Sequence, residues 1–442
     1  MSSAPLYFDH AATSPLSEAA RGALLEHLGM VGNPNSLHGP GRAAHRLLEE
    51  SRERLAGAIG VHPSEVLFTS GGTEADNLGV KGSFWARRAK DNRRSGILLT
   101  GAEHHAVLDT AAWLESHEGA TLHWAQLGAD GNVVRESWEE QLSLHGDTLA
   151  LATLMWANNE VGNVQDVPWA AARALEHGVA MHSDAVQALG HVEIDLRTPG
   201  LSSAAITAHK IGGPVGIGAL ILGRDQVPVP LQHGGGHERS LRSGTSDAVG
   251  AAAFAAAAEA TMAGLQDEGL RQASLRDRLI DGVLSTIDGA SLSGPALGEG
   301  RRLPGTAHFT FAGCEGDSIL FLLDMMGIAS STGSACTAGV AGPSHVLMAM
   351  GSSEQDARCV QRFSLGATTT EAHVEALLAA LPAAVAQARS AGLAAGSTAS
   401  GTSGGTAGGD PGGRPPGSPP AQHAAPPRAA PTAATAVEGV QA

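Results

Sequence analysis

The residues with the clearest chemical potential are Lys210 and Asp184, which end two neighbouring apolar segments. Ala204 to Thr207 predicts a buried strand that leads into Ala208-His209-Lys210, and Val179 to Asp184 predicts another. An ammonium at a strand end must reach water, find a carboxylate or be consumed in a Schiff base. A strand-end carboxylate beside it could pair with the pyridinium nitrogen of pyridoxal phosphate. The alternatives are a lysine that reaches solvent and an aspartate that caps a helix.

Other polar groups also follow predicted strands. Gly71-Gly72-Thr73-Glu74 joins a strand to a helix, whose free N–H groups can hold a phosphate, although such a segment is more often only a turn and a cap. Gln187 follows Asp184 by three residues, and His104 follows the predicted strand Ile97 to Thr100. A histidine there can lie against a ring or move protons near neutral pH, the alternative being a structural histidine.

Cys336 and Arg362 are the candidates in the C-terminal half. Cys336 lies in Ala329 to Pro343, a stretch poor in large side chains, which favours a mobile loop carrying a thiol over a buried inert cysteine. A free thiol is mostly protonated at pH 7, so Cys336 needs a nearby histidine or arginine. Arg362 lies in a predicted strand, where its planar guanidinium suits a substrate carboxylate, the alternative being a surface ion pair.

The elements that must position these residues alternate between strand and helix from about Val66 to Leu222. This alternation predicts an α/β fold, with a mostly parallel sheet between helices and sites at the carboxyl ends of its strands. Strands at Ala307 to Phe311 and Val360 to Leu365, among helices, predict a second, smaller α+β domain. We place the large domain at 16–262, the small domain at 1–15 with 263–391, and a disordered low-complexity tail at 392–442.

The composition argues against several classes of protein. With 44 acidic against 28 basic residues, a net charge of -16 and no basic block, direct nucleic-acid binding is not expected. No apolar run of about eighteen residues and no leader sequence is found, so we expect a cytoplasmic protein without membrane segments. Cys314, Cys336 and Cys359 lack C-x-x-C spacing, which predicts neither disulfides nor a metal site, although Cys336 could transiently ligate an iron–sulfur cluster.

Together these residues resemble those of the cysteine desulfurases, a family of the class V aminotransferase group with the type I fold of pyridoxal-phosphate enzymes. The resemblance runs from about Tyr7 to about Ala388 and is highly specific as a set. The segments that carry it are YFDHAATSP, TSGGTEADN, EHHAVLD, NNEVG, SDAVQ, AHKIGGPVGIGAL, HGGGHERSLRSGT, STGSACTAG and QRFSLG. The fold implied is a large domain with a mainly parallel, seven-stranded sheet, and a smaller α+β domain.

The resemblance also implies a pyridoxal 5'-phosphate site. Lys210 would hold the cofactor as a Schiff base and later move the substrate Cα proton. Asp184 would pair with the ring nitrogen, Gln187 would bond the ring hydroxyl, and His104 would stack on the ring and help with proton transfer. The remaining cofactor contacts would come from Gly72, Thr73, Asn159, Thr207 and His209, with Thr245 supplied by the partner subunit of a homodimer.

For the substrate, L-cysteine, the resemblance implies that Arg362 and Asn159, with Asn33, hold the carboxylate. Cys336 would take up the sulfur as a persulfide and release L-alanine. The sulfur would pass to an acceptor protein, either an iron–sulfur scaffold or a thiouridylase, for iron–sulfur cluster assembly or for tRNA or DNA thiolation. A selenocysteine lyase or an aminotransferase on the same fold is one alternative. A non-enzymatic scaffold is another, and the presence of Lys210, Asp184 and His104 speaks against it.

Overall fold

The computed structural model describes residues 5–298, 301–333 and 342–399, without the side chains of 391–399. The strands are β1 (Leu6–Tyr7), β2 (Val66–Thr69), β3 (Gly96–Thr100), β4 (Thr121–Ala125), β5 (Leu149–Thr153), β6 (Ala180–Asp184), β7 (Leu201–Thr207), β8 (Gly218–Leu222), β9 (Ala290–Leu292), β10 (Thr306–Phe311), β11 (Ile328–Ala329) and β12 (Val360–Ser364). The helices are α1 (Glu18–His27), α2 (Gly39–Ile59), α3 (Gly72–Asn77), α4 (Ser83–Lys90), α5 (His105–Glu118), α6 (Arg135–His145), α7 (Val167–Glu176), α8 (Ala248–Ala263), α9 (Leu265–Thr286), α10 (Gly316–Met325), α11 (His345–Ala349), α12 (Glu354–Arg358) and α13 (Glu371–Ala399).

A seven-stranded sheet in the order β2-β8-β7-β6-β5-β3-β4 forms the centre of the fold. The pairs from β4 through to β7 are all parallel, and only β8 runs against its two neighbours. Every residue of β5 and β6 is buried, as expected for parallel strands covered by helices on both faces. The predicted α/β fold with a mainly parallel sheet is therefore confirmed.

Helix α8 packs against α1 and α2 beside this sheet. Ten of its sixteen residues are alanine, and the alanines at 251–253 and 255–258 are all buried. Small side chains let helices approach closely without leaving voids, so α8 can be an interior helix although it carries few large apolar groups. Its first turn is capped by Asp247, whose carboxylate accepts a hydrogen bond from the N–H of Gly250 at 2.8 Å.

A second sheet, β12-β10-β9, is antiparallel throughout, and β1 pairs in parallel with β11. The core beside it is built around Phe8, Phe309, Phe311 and Phe363, none of which is accessible to solvent. The N-terminal segment is tied to the end of β12, because the N–H of Ser364 donates to the Phe8 carbonyl at 2.8 Å. The predicted domain boundaries at 16–262, 1–15 with 263–391 and 392–442 stay predictions.

Helix α13 is longer than the sequence pattern predicts. We expected a helix from about Glu371 to Arg389 followed by the low-complexity tail, but the helix ends at Ala399. Four of the nine residues at 391–399 are alanine, which has the highest helix propensity, so helix formation can extend into a stretch whose composition suggests disorder. Residues 400–442, the rest of the predicted tail, lie outside the described residues.

Among the described helices, none is by itself long and apolar enough to cross a membrane. Helices α8 and α9 satisfy the length and composition only when taken together, and they are bent by 71° relative to each other.

Candidate active site

Lys210 stands three residues beyond the end of β7, in the turn that leads into β8. Because β8 is antiparallel to β7, this turn brings the chain straight back at the carboxyl edge of the sheet. The Nζ of Lys210 donates to the backbone carbonyls of Ala11 and Ala12, at 2.5 and 2.7 Å. The lysine therefore reaches across to the N-terminal segment and is held there by carbonyl oxygens rather than by a carboxylate.

The surroundings of Lys210 favour the neutral amine. Burial lowers its pKa to about 8 from the ordinary 10.5, and the nearby Arg362 guanidinium acts in the same direction. The carboxylates of Asp9 and Asp184 oppose this shift without cancelling it. An amine with a pKa near 8 is deprotonated in a useful fraction at neutral pH, as a nucleophile or proton acceptor requires.

Asp184 is the last residue of β6, and its side chain is buried at the same edge of the sheet. Its Oδ1 accepts a hydrogen bond from the N–H of Val186 at 2.9 Å. Burial raises the pKa of Asp184, and the nearby His104 and Lys210 counteract this. Gln187 follows in the next turn, and its Nε2 donates to the carbonyl of Ala11 at 2.8 Å. Lys210 and Gln187 thus converge on one backbone oxygen.

His104 caps the N-terminus of α5 with its ring, since Nδ1 accepts from the N–H of Ala106 at 3.1 Å. This contact leaves the proton of the neutral ring on Nε2. Although the residue is exposed to solvent, desolvation lowers the pKa of His104, and the neighbouring Asp184 opposes the shift. His104 can therefore present a neutral ring beside Asp184.

Gly72 and Thr73 begin α3, whose first turn follows β2. A Cβ added at Gly72 would lie 2.7 Å from Cγ2 of Val186, so glycine is needed for the helix to approach this closely. The Thr73 side chain is exposed at this helix start. The backbone N–H groups of such a first turn have no partner within the helix and can bind an anion.

Thr207 and His209 flank the turn at the end of β7. The hydroxyl of Thr207 is buried and donates to the carbonyl of Ile217 at 3.2 Å. His209 Nδ1 lies 3.2 Å from Oγ1 of Thr13, and burial together with Lys210 lowers the pKa of His209 to about 4. The His209 ring is therefore neutral at pH 7 and can serve as a hydrogen-bond partner rather than as a cation.

Arg362 lies in the middle of β12 and is buried, with 3% of its surface exposed. Its two terminal nitrogens donate to the carbonyl of Asn159 and to Oδ1 of Asp9, both at 2.7 Å. Its Nε is buried and has no partner within the described residues. A substrate carboxylate could take the place of Asp9 on this guanidinium, because both present the same planar pair of oxygens.

Several predicted site residues are not joined to this group. Asn33 and Thr245 are exposed, and no hydrogen bond in the described ranges connects either of them to Lys210, Asp184 or Arg362. Thr245 was predicted to act in a partner subunit, which a single chain does not show. Cys336 lies outside the described residues, in the stretch between 333 and 342.

The structure also reveals participants that sequence reasoning missed. Asp9 pairs with Arg362 and influences Lys210, and it was visible only as part of the motif YFDHAATSP. The carbonyls of Ala11 and Ala12 carry no side-chain signal at all. Glu103, next to His104, is fully buried, and burial raises its pKa to about 8.

A buried layer of polar groups lies behind Asp184. His182 Nε2 is 3.1 Å from Oδ1 of Asp76, and His182 Nδ1 is 2.9 Å from the hydroxyl of Ser203. Burial lowers the pKa of His182 to about 3, so its ring is neutral, and burial raises the pKa of Asp76 well above its ordinary value. The charges of Glu103 and Asp184 add to the shift at Asp76. Ionisation of any one of these carboxyl groups therefore disfavours ionisation of the others.

These residues fit pyridoxal phosphate. The site combines a lysine amine with lowered pKa, a buried carboxyl group at a strand end, a neutral exposed histidine ring and a helix start that only glycine allows. Each matches one part of that cofactor: its aldehyde, its ring nitrogen, its ring face and its phosphate.

Comparison with known proteins shows which family this chain resembles. Residues 6–377 match the family described as Aminotransferase class-V. The IscS-like cysteine desulfurase of Mycobacterium tuberculosis (strain ATCC 25618 / H37Rv) is 51% identical over 372 residues, which cover 84% of this chain and 94% of that protein. The solved structure of a NifS-like protein superimposes with a TM-score of 0.78 at 32% identity, covering 87% of this chain and 100% of the other. A structure of SspA in complex with cysteine has a TM-score of 0.70 at 29% identity, with 82% and 99% covered.

The chain belongs to the class V aminotransferase family. Within that family it is similar to the cysteine desulfurases, one of which is 51% identical over 94% of its length. It is a pyridoxal-phosphate-dependent cysteine desulfurase.

Proposed function

We propose that Lys210, Asp184, His104 and Gln187 hold pyridoxal 5'-phosphate at the carboxyl edge of the seven-stranded sheet. The observation that carries this proposal is the convergence of Lys210 and Gln187 on the carbonyl of Ala11, beside the buried carboxyl group of Asp184. When bound, the cofactor withdraws electrons from the substrate Cα and so weakens the bond between Cβ and sulfur. The protein must then orient the substrate and move protons.

The phosphate end of the cofactor belongs at the start of α3. Gly72 and Thr73 offer backbone N–H groups and a hydroxyl there, with Thr207 and His209 at the end of β7 as further partners. Because His209 is neutral, a contact with phosphate would be a hydrogen bond rather than an ion pair. Thr245 of a second subunit completes this set if the enzyme is a homodimer, which we propose from the family resemblance.

Arg362, with Asn159 and Asn33, holds the carboxylate of L-cysteine in this proposal. The buried guanidinium already binds the carboxylate of Asp9 and the Asn159 carbonyl, so its donors have the geometry that a carboxylate needs. The similar protein SspA, whose structure is a complex with cysteine, supports cysteine as the molecule bound here.

Lys210 is the proton carrier at Cα. Its pKa of about 8 lets the amine accept a proton and return it near neutral pH, as a general base requires. His104 assists as a neutral ring whose Nε2 carries a proton.

Cys336 is the sulfur acceptor on the enzyme. Its Sγ forms a bond to the substrate sulfur while the Cβ–S bond breaks, the electron pair of that bond stays on Cβ, and protonation of Cβ gives L-alanine. A persulfide is left on Cys336. We propose that an acceptor protein, an iron–sulfur scaffold or a thiouridylase, then removes the sulfur for cluster assembly or for tRNA or DNA thiolation. The cytoplasmic location and the lack of direct nucleic-acid binding stay predictions.

The test compares Cys336→Ala with Cys359→Ala in enzyme loaded with cofactor. Cys359 is a matched control because it is buried, and burial raises its thiol pKa. We expect Cys336→Ala to form alanine from cysteine at least 100-fold more slowly and to carry no persulfide by mass spectrometry, while Cys359→Ala keeps both. Alanine formed at an unchanged rate by Cys336→Ala would overturn the role of Cys336 and favour a lyase that needs no enzyme thiol.

A further inference from the structure

Glu160 is a buried residue that the site described above does not use. Only 1% of the Glu160 surface is accessible to solvent. The residue follows Asn159, whose carbonyl accepts a hydrogen bond from Arg362. Asn158 fixes the local turn, since its Oδ1 accepts from the N–H groups of Glu160 and Val161 at 2.8 and 2.9 Å. The Glu160 side chain therefore stands at a defined point next to the Arg362 end of the site.

Residues 334–341, which include Cys336, lie outside the described residues and are called the Cys336 segment here. Two residues that follow this segment contact the Glu160 carboxyl group. The hydroxyl of Ser344 donates to Oε2 at 2.5 Å, and Nδ1 of His345 lies 3.8 Å from Oε1. Ser344 also caps α11 through a hydrogen bond from the N–H of Leu347 at 3.1 Å. This end of the segment is thus fixed both to its own helix and to Glu160.

The residues that precede the segment reach the same place. Gly333 has a positive φ of 87°, and a Cβ there would lie 3.5 Å from Cγ of Glu160 and 3.4 Å from Nε2 of His308. Ser331, two residues earlier, is bridged to Arg362 through backbone hydrogen bonds of 3.2 and 2.6 Å. One flank of residues 334–341 is therefore hydrogen-bonded to Glu160 through Ser344, while on the other flank Gly333 lies close to the Glu160 side chain and Ser331 is paired with Arg362.

From this juxtaposition we propose that Glu160 is a positioning residue for the sulfur-transfer step. It holds both ends of the segment that carries Cys336 next to the guanidinium of Arg362. The inference rests on the proposed role of Cys336 and deepens it, because a thiol that must meet the substrate sulfur gains rate when its anchor points are preset.

The orientation of the His345 ring is set by a hydrogen bond on its other side. Nε2 of His345 lies 3.1 Å from the carbonyl of Glu103, which can only accept, so the proton of a neutral ring is on Nε2. In that tautomer the unprotonated Nδ1 lies 3.8 Å from Oε1 of Glu160, beyond hydrogen-bond distance. A glutamine at 160 would supply an N–H toward Nδ1 and keep an oxygen for Ser344.

Three variants test the contact between Glu160 and Ser344. Glu160→Ala and Ser344→Ala each remove one partner of this hydrogen bond, and Glu160→Gln is the conservative replacement that keeps an acceptor for Ser344. Glu354→Gln is the carboxyl control, because Glu354 lies on the surface of the nearby α12 and pairs only with Arg358 among the described residues.

Hydrogen exchange with mass spectrometry measures how firmly Glu160 holds the residues that flank 334–341, and it does not depend on enzyme activity. In Glu160→Ala we expect at least tenfold faster exchange in peptides on both sides of the segment, covering residues 328–333 and 342–350, with Glu160→Gln and Glu354→Gln like the wild type. Faster exchange on one side only, or unchanged exchange on both, would overturn the proposal.

Kinetics then separates positioning from substrate binding. We expect Glu160→Ala and Ser344→Ala each to lower kcat for alanine formation at least tenfold, with the cysteine affinity read from the cofactor absorbance changed less than twofold and Glu160→Gln within threefold of the wild type. The double variant should be no slower than the slower single variant, because both remove one contact. If Cys336→Ala is inactive while Glu160→Ala is fully active, the anchor fails and the function of Cys336 stands. If Cys336→Ala is itself active, the proposed function fails.

Discussion

The lowered pKa of Lys210 predicts how fast cofactor-free enzyme takes up pyridoxal phosphate. With a pKa of about 8, about one amine in ten is neutral at pH 7, whereas at the ordinary 10.5 only about one in three thousand would be. Schiff-base formation requires the neutral amine. We therefore expect the uptake rate to rise about tenfold per pH unit below 8 and to level off above it.

Two substitutions should move this rate in opposite directions. Arg362→Gln removes a positive charge that lowers the pKa of Lys210, so that pKa rises and uptake at pH 7 slows. Asp9→Asn removes a negative charge that raises it and leaves Arg362 unpaired, so the pKa falls and uptake quickens. For partly solvated charges we expect about half a pKa unit each way, which is about threefold in rate per variant and about tenfold between them.

The assay is stopped-flow absorbance after mixing enzyme stripped of cofactor with pyridoxal phosphate between pH 6 and 9.5. Arg358→Gln serves as the control, since Arg358 is a surface arginine on α12 paired with Glu354. Melting temperatures identify variants that are merely destabilised. A pH-independent uptake rate, or the same sign of change in both variants, would refute the electrostatic reasoning.

Two further predictions concern the sheet and its buried layer. Gly72→Ala should weaken cofactor affinity about tenfold, because the new Cβ would lie 2.7 Å from Val186. Adding Val186→Ala should restore most of the affinity, as measured by absorbance titration. No recovery in the double variant would argue against this clash. Between pH 6.5 and about 3 the unfolded chain binds protons that buried His182 and His308 do not. Each of these two histidines therefore lowers the free energy of unfolding by about 1.4 kcal/mol per unit as the pH falls, a contribution that the raised pKa values of buried Glu103 and Asp76 oppose, and His182→Gln should remove one such contribution in urea titrations. An unchanged slope would show that His182 titrates normally.

The strand-end residues could be predicted from sequence because their chemistry and position coincide. Asp184 ends β6 and Lys210 follows β7, and the rule that parallel strands end at a common edge brings these two together, whereas Arg362 stands out as the charged residue in the middle of β12. Strand alternation also predicted the sheet itself. The local sequence pattern was therefore sufficient to predict a site residue wherever a chemically active side chain lies in or next to a strand that the pattern also predicts.

The remaining parts of the site depend on contacts that no local pattern records. The carbonyls of Ala11 and Ala12 hold Lys210 through atoms that every residue has. In the sequence Glu160 is a single acidic residue in a turn, and its hydrogen bond with Ser344 joins residues 184 positions apart. The end of α13 was misplaced because composition describes an average, while helix propensity acts residue by residue.

The ion pair between Asp9 and Arg362 also has a consequence for biosynthesis. Its partners are 353 positions apart, and the carbonyl that receives Lys210 lies two residues beyond Asp9. At a translation speed of about 5–20 residues per second, Asp9 is synthesised roughly 20 to 70 s before Arg362. The substrate end of the catalytic centre is therefore among the last features that a nascent chain can complete, and a ribosome-stalled chain shorter than β12 should fold its central sheet yet lack the guanidinium proposed to bind the substrate carboxylate.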